Sequence, residues 1–199
     1  MEFNLVSKKG LQIYLVSNLR KNNVLKKILT PLLSLTSIKM KQKKIIILTL
    51  LVLICNISID RITKIIAVDF LKGKETISLF YNTVVFKYTE NTGAFLSIGS
   101  DWPDSFKYIS LIIIPILICL YGLYYCAFKL TDKKMVIIIV SIIGGGLGNL
   151  VDRLFNDFRV IDFINFGIGS LRTGILNVAD MSVTFGVLFL AFYTMKKKQ

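Results

Sequence analysis

The sequence predicts a mainly α-helical membrane protein, a bundle of four transmembrane helices with a small extracytoplasmic β-rich segment. The chain is 54% hydrophobic with a mean hydropathy of +0.65. It also contains four apolar runs that each approach the roughly 20 residues needed to cross a bilayer. One such run would also suit a buried helix of a soluble protein, but four runs in 199 residues make that alternative poor.

The predicted spans are separated by two long connections and one short one. The spans cover about residues 45–66, 108–128, 135–151 and 175–195. The connection at about residues 77–100 is rich in Val, Phe, Tyr and Thr and is interrupted by Asn82 and by Asn91-Thr92-Gly93, which predicts short strands or a hairpin. The last connection contains the glycine-rich stretch NFGIGSLRTG, for which a plain loop is preferred over a mobile flap.

Residues 1–39 are predicted to be a basic extension outside the membrane domain of residues 40–199. Met40 is followed by three lysines and then directly by the first span, as at the start of many bacterial membrane proteins. The extension is therefore untranslated, disordered or an amphipathic helix on the membrane surface. No small-residue cleavage site follows the first apolar run, so a cleavable signal peptide is not expected.

The distribution of charge predicts the topology. The formal net charge of +13 is the sum of +9 in residues 1–44, +2 in residues 129–134 and +2 in residues 176–199, and the other stretches cancel. With four spans these three segments lie on one side, which the positive-inside rule identifies as the cytoplasm. Both termini are thus predicted to be cytoplasmic, the long connections extracytoplasmic, and no nucleic-acid partner is needed to explain the basic excess.

The cysteine and histidine contents exclude several kinds of chemistry. Cys55, Cys119 and Cys126 all lie within apolar runs, where packing or lipid contact is expected rather than a disulfide framework. The chain has no histidine, which removes Ser/His and Cys/His nucleophile pairs and most zinc sites. No metal ion or cofactor is predicted.

Polar side chains recur near the outer ends of three spans at helical spacing, which places them on one face of each helix. The three stripes are Asn56, Asp60 and Lys64; Ser141, Gly145, Asn149 and Arg153; and Asn177, Asp180 and Thr184. Gly144 and Gly148 predict a close helix–helix contact. A structural hydrogen-bond cluster explains any single stripe equally well, but three stripes converging with Asp162 favour a functional site.

The neighbours of four aspartates divide them into two kinds. Asp60 and Asp152 each have a basic residue close by in sequence, Lys64 and Arg153 respectively, and are expected to be structural. Asp180 has no counter-ion in its helix, and Asp162 is flanked by apolar residues. Two such carboxylates in a low-dielectric site share a proton, so that one holds it while the other deprotonates water. Asp162 and Asp180 are therefore the predicted catalytic pair of an aspartic protease.

Five motifs resemble those of signal peptidase II, the bacterial lipoprotein signal peptidase, over roughly residues 40–198. They are DRITK from Asp60, NTGAF from Asn91, GGGLGNLVDRL from Gly144, VIDF from Val160 and LNVADMSVTFG from Leu176. The resemblance implies a membrane endopeptidase that cleaves diacylglyceryl-modified prolipoproteins just before the lipidated cysteine. It also implies a monomer in the bacterial cytoplasmic membrane, in contact with lipid, whose active site faces the extracytoplasmic side and binds globomycin-type inhibitors.

The resemblance further implies which side chains act in the site. The catalytic aspartates align with Asp162 and Asp180. The supporting and substrate-binding residues align with Asp60, Lys64, Asn91, Gly93, Asn149, Arg153, Asn177 and Ala179. The sequence departs from the family pattern in carrying Arg61 for a usual Gln, Leu176 for a common Phe, Met181 for a small residue, and GAFLS for GAAFS. Met181 directly follows Asp180, so it can change the shape of the pocket there. Of the properties that the resemblance implies, inhibitor sensitivity is the one that this change affects most.

Two other function classes fit parts of this pattern. A small proton-coupled transporter also buries Asp and Asn among converging helices, but it usually has more spans and an internal repeat, and none is found here. A non-catalytic membrane protein uses a polar cluster to hold its helices together. Asp180→Asn separates the classes, because the amide preserves hydrogen bonding but not proteolysis.

Overall fold

Four long apolar helices dominate the computed structural model, which describes residues 23–94 and 98–198. Residues 1–22 of the predicted extension and Phe95 of the NTGAF motif lie outside the described residues. Within the described ranges the helices long and apolar enough to cross a membrane, by length and composition, number four. We label the helices α1 (Asn23–Leu71), α2 (Asp104–Phe128), α3 (Lys133–Phe155) and α4 (Val178–Lys198). The predicted four-helix membrane fold is confirmed.

The chain divides into two units, Met1–Lys43 and Lys44–Gln199. Helix α1 begins in the first unit and ends in the second. The remaining helices and the sheet belong to the second unit.

The strands form one antiparallel sheet in the order β1-β2-β3-β4. Their bounds are Ile77–Leu79 for β1, Val84–Asn91 for β2, Val160–Ile168 for β3 and Leu171–Leu176 for β4. The predicted β-rich segment supplies β1 and β2. The plain loop predicted for NFGIGSLRTG is wrong, because this stretch forms most of the β3–β4 hairpin.

Helix α2 departs from α-helical hydrogen bonding between Ile109 and Ile113, where it is π-helical. Pro115 follows within one turn. Proline has no backbone N–H to donate to the carbonyl four residues earlier, and its ring crowds that carbonyl, so the wider turn relieves both problems. The irregular segment borders the site described below.

A row of glycines lets α3 approach α1 and α4 closely. A Cβ atom on Gly144 would lie 2.8 Å from Asn56 Cβ, and one on Gly148 would lie 2.8 Å from Asp60 Oδ2. A Cβ on Gly145 would overlap the carbonyl oxygen of Ala179 in α4. The close contact predicted at Gly144 and Gly148 is confirmed, and it brings the polar stripes of the three helices together.

The sheet packs against the last turns of α1. Ala67 and Leu71 are buried together with Phe163 of β3, and Phe86 of β2 covers the same cluster. Residue Asp162 lies directly opposite Thr89 in the β2–β3 ladder, and its neighbour Phe163 occupies this apolar cluster. The sheet thereby fixes the position of Asp162 relative to the helices.

The cysteines behave as predicted. All three thiols are free, with Cys119 and Cys126 buried between helices and Cys55 exposed. Cys126 packs in an apolar cluster with Val136 and Val140. Cys119 and Cys126 thus contribute to packing, whereas Cys55 lies on the exposed surface.

Candidate functional site

A cluster of four charged residues joins α1 to α3; Asp60, Lys64 and Asp152 are buried, and Arg61 is half-buried. Lys64 Nζ lies 3.1 Å from Asp60 Oδ2 and 2.7 Å from Asp152 Oδ2. Arg61 also contacts both carboxylates, at 2.7 Å from Asp60 and 2.5 Å from Asp152. Two cations and two anions therefore compensate one another, as burial of charge requires.

The pairing corrects one sequence-based assignment. Asp152 is neutralised by Lys64 and Arg61 from the neighbouring helix, whereas its sequence neighbour Arg153 donates a hydrogen bond of 2.7 Å to the carbonyl oxygen of Gly93. Arg61, noted in the sequence only as a departure from the family pattern, is a full member of the cluster. Nothing in its spacing separated it from an exposed helix arginine.

The cluster extends to the start of α4. Asp60 Oδ1 accepts a hydrogen bond of 3.1 Å from the backbone N–H of Ala179, which lies in the first turn of α4, where N–H groups lack helical partners. Ala179 is fully buried, and its small side chain fits beside the glycines of α3. A larger residue here would separate α3 from α4.

Asp180 is held by a reciprocal cap at the start of α4. The backbone N–H of Asn177 donates to Asp180 Oδ2 at 3.2 Å, and the backbone N–H of Asp180 donates to Asn177 Oδ1 at 2.8 Å. This is the geometry of a capping box with Asn and Asp in place of the usual Ser/Thr and Glu. Since β4 continues to Leu176, Asp180 lies in the first helical turn.

Asn149 connects the charged cluster to Asp180. Its Oδ1 accepts from Lys64 Nζ at 2.9 Å and from Asn177 Nδ2 at 3.0 Å. Both acceptor bonds fix the orientation of the amide, so that Nδ2 faces Asp180 Oδ1 and donates to it at 2.8 Å.

Asp162 is presented by β3 and is 3% exposed. Asn177 Nδ2 donates to its Oδ1 at 2.7 Å, and Asn91 Nδ2 donates to its Oδ2 at 3.2 Å. Burial, and next the negative charge of Asp180, raise the pKa of Asp162 to about 7, against the opposing effect of the two amide donors. At neutral pH a substantial fraction of this carboxyl is therefore protonated.

The two aspartates line one cavity of about 280 Å³. Its polar side chains, besides Asp162 and Asp180, are Asn91, Ser110, Asn149 and Arg153. Leu111 and Pro115, from the irregular part of α2, provide an apolar wall. Two carboxyl groups with amide donors beside them can share a proton and activate water for hydrolysis.

Arg153 and Asn91 shape the loop after β2. Arg153 Nη2 binds the carbonyl oxygen of Gly93, while Asn91 Oδ1 accepts from the Gly93 N–H at 2.9 Å. Asn91 Nδ2 also reaches the carbonyl oxygen of Ala94 at 3.2 Å. The Nε of Arg153 is buried and has no hydrogen-bond partner within the described residues, while the side chain as a whole lines the cavity.

All ten residues predicted for the site are brought together. Asp162, Asp180, Asn91, Asn149 and Arg153 line the cavity, while Asn177 bridges both aspartates. The other four residues support these: Lys64 hydrogen-bonds Asn149, and Gly93 hydrogen-bonds Asn91. Asp60 accepts from the backbone of Ala179, next to Asp180. The sequence did not predict that Arg61 or the apolar wall from α2 would belong to the site. A proline within an apolar span was the one sequence signal for that wall.

Comparisons with known proteins agree on one family. A family model described as signal peptidase (SPase) II matches residues 48–196. The chain is similar to the lipoprotein signal peptidase of Borrelia turicatae, with 34% identity over 144 residues that cover 70% of this chain and 84% of the relative. It is 36% identical over 147 residues to that of Treponema denticola, covering 71% and 84%.

Solved structures support the same fold. A bacterial membrane enzyme determined by the in meso method aligns with a TM-score of 0.67 and 26% identity, covering 76% of this chain and 89% of that chain. A second structure with a similar description aligns with a TM-score of 0.63 and 24% identity, covering 74% of this chain and 92% of that chain, and it bears on the fold alone.

Proposed function

This chain belongs to the signal peptidase II family of aspartic peptidases, and from that membership we propose how it acts. It removes the signal peptide of diacylglyceryl-modified prolipoproteins by cutting just before the lipidated cysteine. Asp162 and Asp180 are the catalytic residues. The protein is a multi-pass bacterial membrane protein, and we place it as a monomer in the cytoplasmic membrane.

One observation carries this proposal. Asp162 and Asp180 line the same cavity, and the single residue Asn177 hydrogen-bonds both. Asp60 and Asp152 instead have two cations between them. Of these four aspartates, only Asp162 and Asp180 combine access to a substrate with the mutual electrostatic influence that makes two carboxyl groups share a proton.

The hydrogen bonds around the two aspartates suggest a different role for each. Asp180 accepts hydrogen bonds from Asn149 and from the Asn177 backbone, which stabilise a carboxylate that takes a proton from water. Asp162, whose pKa is raised to about 7, supplies a proton to the oxygen of the scissile carbonyl. The water oxygen bonds to the carbonyl carbon to give a tetrahedral intermediate. Asp180 then passes the proton that it took from water to the amide nitrogen as the C–N bond breaks, and Asp162 takes back its proton as the carbonyl re-forms.

Arg153 is suited to stabilise charge or to hold the substrate backbone. Its side chain lines the cavity, and its Nη2 is held by the Gly93 carbonyl. A donor held by other bonds needs little reorganisation as negative charge develops on the substrate oxygen. Globomycin-type inhibitors are expected to occupy the same cavity.

The proposed orientation follows from charge. With four spans, the basic segments of residues 1–44, 129–134 and 176–199 are expected on the same side of the membrane, and by the positive-inside rule we propose that this side is the cytoplasm. Asp162, Asp180 and the sheet lie at the other ends of the helices. The active site then faces the extracytoplasmic side, near the level at which a lipidated cysteine emerges.

Cleavage of a diacylglyceryl-modified prolipoprotein by purified protein in detergent tests the proposal. Asp162→Asn and Asp180→Asn should each abolish cleavage and leave the thermal unfolding temperature near that of wild type. The Asn side chain keeps one oxygen that can accept hydrogen bonds. Asp157→Asn is the matched control, because Asp157 is an exposed aspartate close in sequence that does not line the cavity.

Both active-site variants losing cleavage, with the control near wild type, would support the pair. Near wild-type cleavage by either folded variant would refute the assignment and favour a structural role for the polar cluster. The position of the cut, read by mass spectrometry of the product, tests the proposed cleavage site separately.

A further inference from the structure

Two hairpin turns meet at the end of the sheet far from Asp162. The β1–β2 turn closes with a 3.0 Å hydrogen bond from Thr83 N–H to the carbonyl oxygen of Phe80. The β3–β4 turn lies beside it, because Gly167 N–H donates to the Thr83 carbonyl at 2.9 Å and Arg172 Nη1 donates to the Asn82 carbonyl at 2.8 Å. The two turns therefore form one connected tip.

The tip exposes large apolar side chains from both turns. Phe80 is 75% exposed and Tyr81 is fully exposed, while Ile168 and Leu171 are 80% and 83% exposed. Four such side chains on adjacent turns form a patch rather than the scattered apolar residues normal for a surface. We refer to Phe80, Tyr81, Ile168 and Leu171 as the apolar tip.

The backbone holds the two aromatics in an unusual conformation. Phe80, Tyr81 and Asn82 have φ values of 50°, 54° and 66°, in the left-handed region that bulky residues avoid. Ser78 Oγ and Arg172 bind the side chain and carbonyl of Asn82, respectively. Such a conformation persists only where surrounding bonds hold it in place.

The apolar tip lies on the sheet that covers the outer end of α1. Ile66 and Phe70, on the exposed side of α1, line an apolar groove together with Ile77 of β1. Ile66 and Phe70 belong to the apolar span that ends at Leu71. The exposed apolar surface of α1 thus continues through Ile77 toward the β1–β2 turn, near the end of this candidate span.

From this continuity we propose that the apolar tip inserts into the lipid bilayer at the boundary between headgroups and acyl chains. Aromatic side chains are favoured at that level. Strand β3 runs from Ile168 to Asp162 over about 20 Å at roughly 3.3 Å per residue. The inserted tip would then anchor the far end of the strand that carries Asp162.

A single reporter tryptophan tests this directly. In a Trp102→Phe background, which removes the sole native tryptophan, Tyr81→Trp places the reporter at the tip. Lys87→Trp is the control, since Lys87 is exposed on the same sheet but lies between Phe86 and Tyr88, both of which pack toward α1. Each protein is placed in phosphatidylcholine nanodiscs, one copy per disc, with or without bromine on the acyl chain near the headgroup.

Insertion predicts that the emission of the Tyr81→Trp protein lies at shorter wavelength than that of the Lys87→Trp control. Brominated lipid should quench the reporter at the tip and leave the control unquenched. The proposal would be overturned if the Tyr81→Trp protein emitted at the same long wavelength as the control and brominated lipid did not quench it. A shift seen only with two copies per disc would identify a second copy as the partner and would also overturn it.

Leu171→Trp, on the other turn of the tip, gives an independent reading if the Tyr81→Trp protein does not fold. The same blue shift and quenching are expected from it, and their absence would likewise count against insertion. Neither readout depends on peptidase activity, so a failure of this proposal and a failure of the proposed function remain distinguishable.

Discussion

The side-chain amide of Asn149 donates a 2.8 Å hydrogen bond to Asp180 while its oxygen accepts from Lys64. One amide thus separates a buried charged cluster from a proposed catalytic carboxylate. Lys64 is 1% exposed, so water cannot reach its ammonium group unless the surrounding side chains move. The charged cluster acts as a support for Asp180 rather than as part of the reacting group.

Asn149→Ala should therefore reduce the cleavage rate constant by about 10- to 1,000-fold, because Asp180 loses a donor that stabilises its carboxylate. Single-turnover cleavage separates this loss from weaker substrate binding. Asn156→Ala is the matched control, since Asn156 follows the same helix but its side chain binds only the Arg159 carbonyl among the residues described. Its rate should stay within about twofold of wild type; an equal loss in both variants would point to a general effect on α3.

Arg61→Gln should lower the thermal stability of the purified protein. The change leaves two buried carboxylates facing the single charge of Lys64, a loss on the order of 3 kcal/mol for a broken buried ion pair. Arg61→Lys should recover part of this, since it keeps the charge but not both contacts. Arg159→Gln removes an arginine paired at the surface with Glu90 and should cost at most about 1 kcal/mol. Equal thermal shifts for Arg61→Gln and Arg159→Gln would contradict the importance of burial.

The pH dependence of cleavage should have an alkaline limb near pH 7. The pKa of Asp162 is raised to about 7, so the protonated form persists up to that pH and is lost above it. If this form donates the proton, the rate constant should fall by up to about tenfold per pH unit beyond the limb. Initial rates at saturating substrate, from about pH 5 to about pH 9, measure the profile.

Asn91→Ala provides the internal check on that profile. Asn91 donates to Asp162 Oδ2 and lowers the pKa of this carboxyl, so removing the donor should raise the pKa and move the alkaline limb to higher pH. A limb that does not move, or a rate that is flat across neutral pH, would assign the titration to another group.

The glycines of α3 should differ sharply in their tolerance of a methyl group. A Cβ on Gly148 would meet Asp60 Oδ2 at 2.8 Å, whereas a Cβ on Gly146 would lie 3.6 Å from Cys119 Sγ, an ordinary contact. Gly148→Ala should cost about 1–3 kcal/mol by overpacking, and Gly146→Ala should be neutral or gain up to about 1 kcal/mol of helix propensity. Thermal unfolding in detergent compares them, and equal behaviour would mean that α1 and α3 are not tightly packed.

Local patterns in the sequence predicted most of the helical fold and the identity of the site. Hydropathy predicted the four spans, and the absence of nearby counter-ions selected Asp162 and Asp180. The β3–β4 hairpin was not predicted because its glycines resemble a loop, while its stability comes from pairing with β2, about 70 or more residues earlier in sequence. Strand formation that depends on such distant partners leaves a weak local signal.

The partners of Asp152 were missed for a related reason. Sequence adjacency suggested Arg153, but consecutive helical residues point in different directions. The cations that reach Asp152 come from α1, about 90 positions away. The spacing of Asn177 and Asp180, by contrast, matches a capping box, and a search for caps would have placed the start of α4 correctly.

The reciprocal cap also has a mechanical consequence. Asn177 grips Asp180 through its backbone and Asp162 through its side chain, at the junction where β4 passes into α4. Tilting of the helices as the bilayer thickens or thins must move Asn177, and with it both carboxyl groups. Because Asn177 holds both carboxyl groups, we expect such a tilt to move Asp162 and Asp180 together and to change the distance between them little.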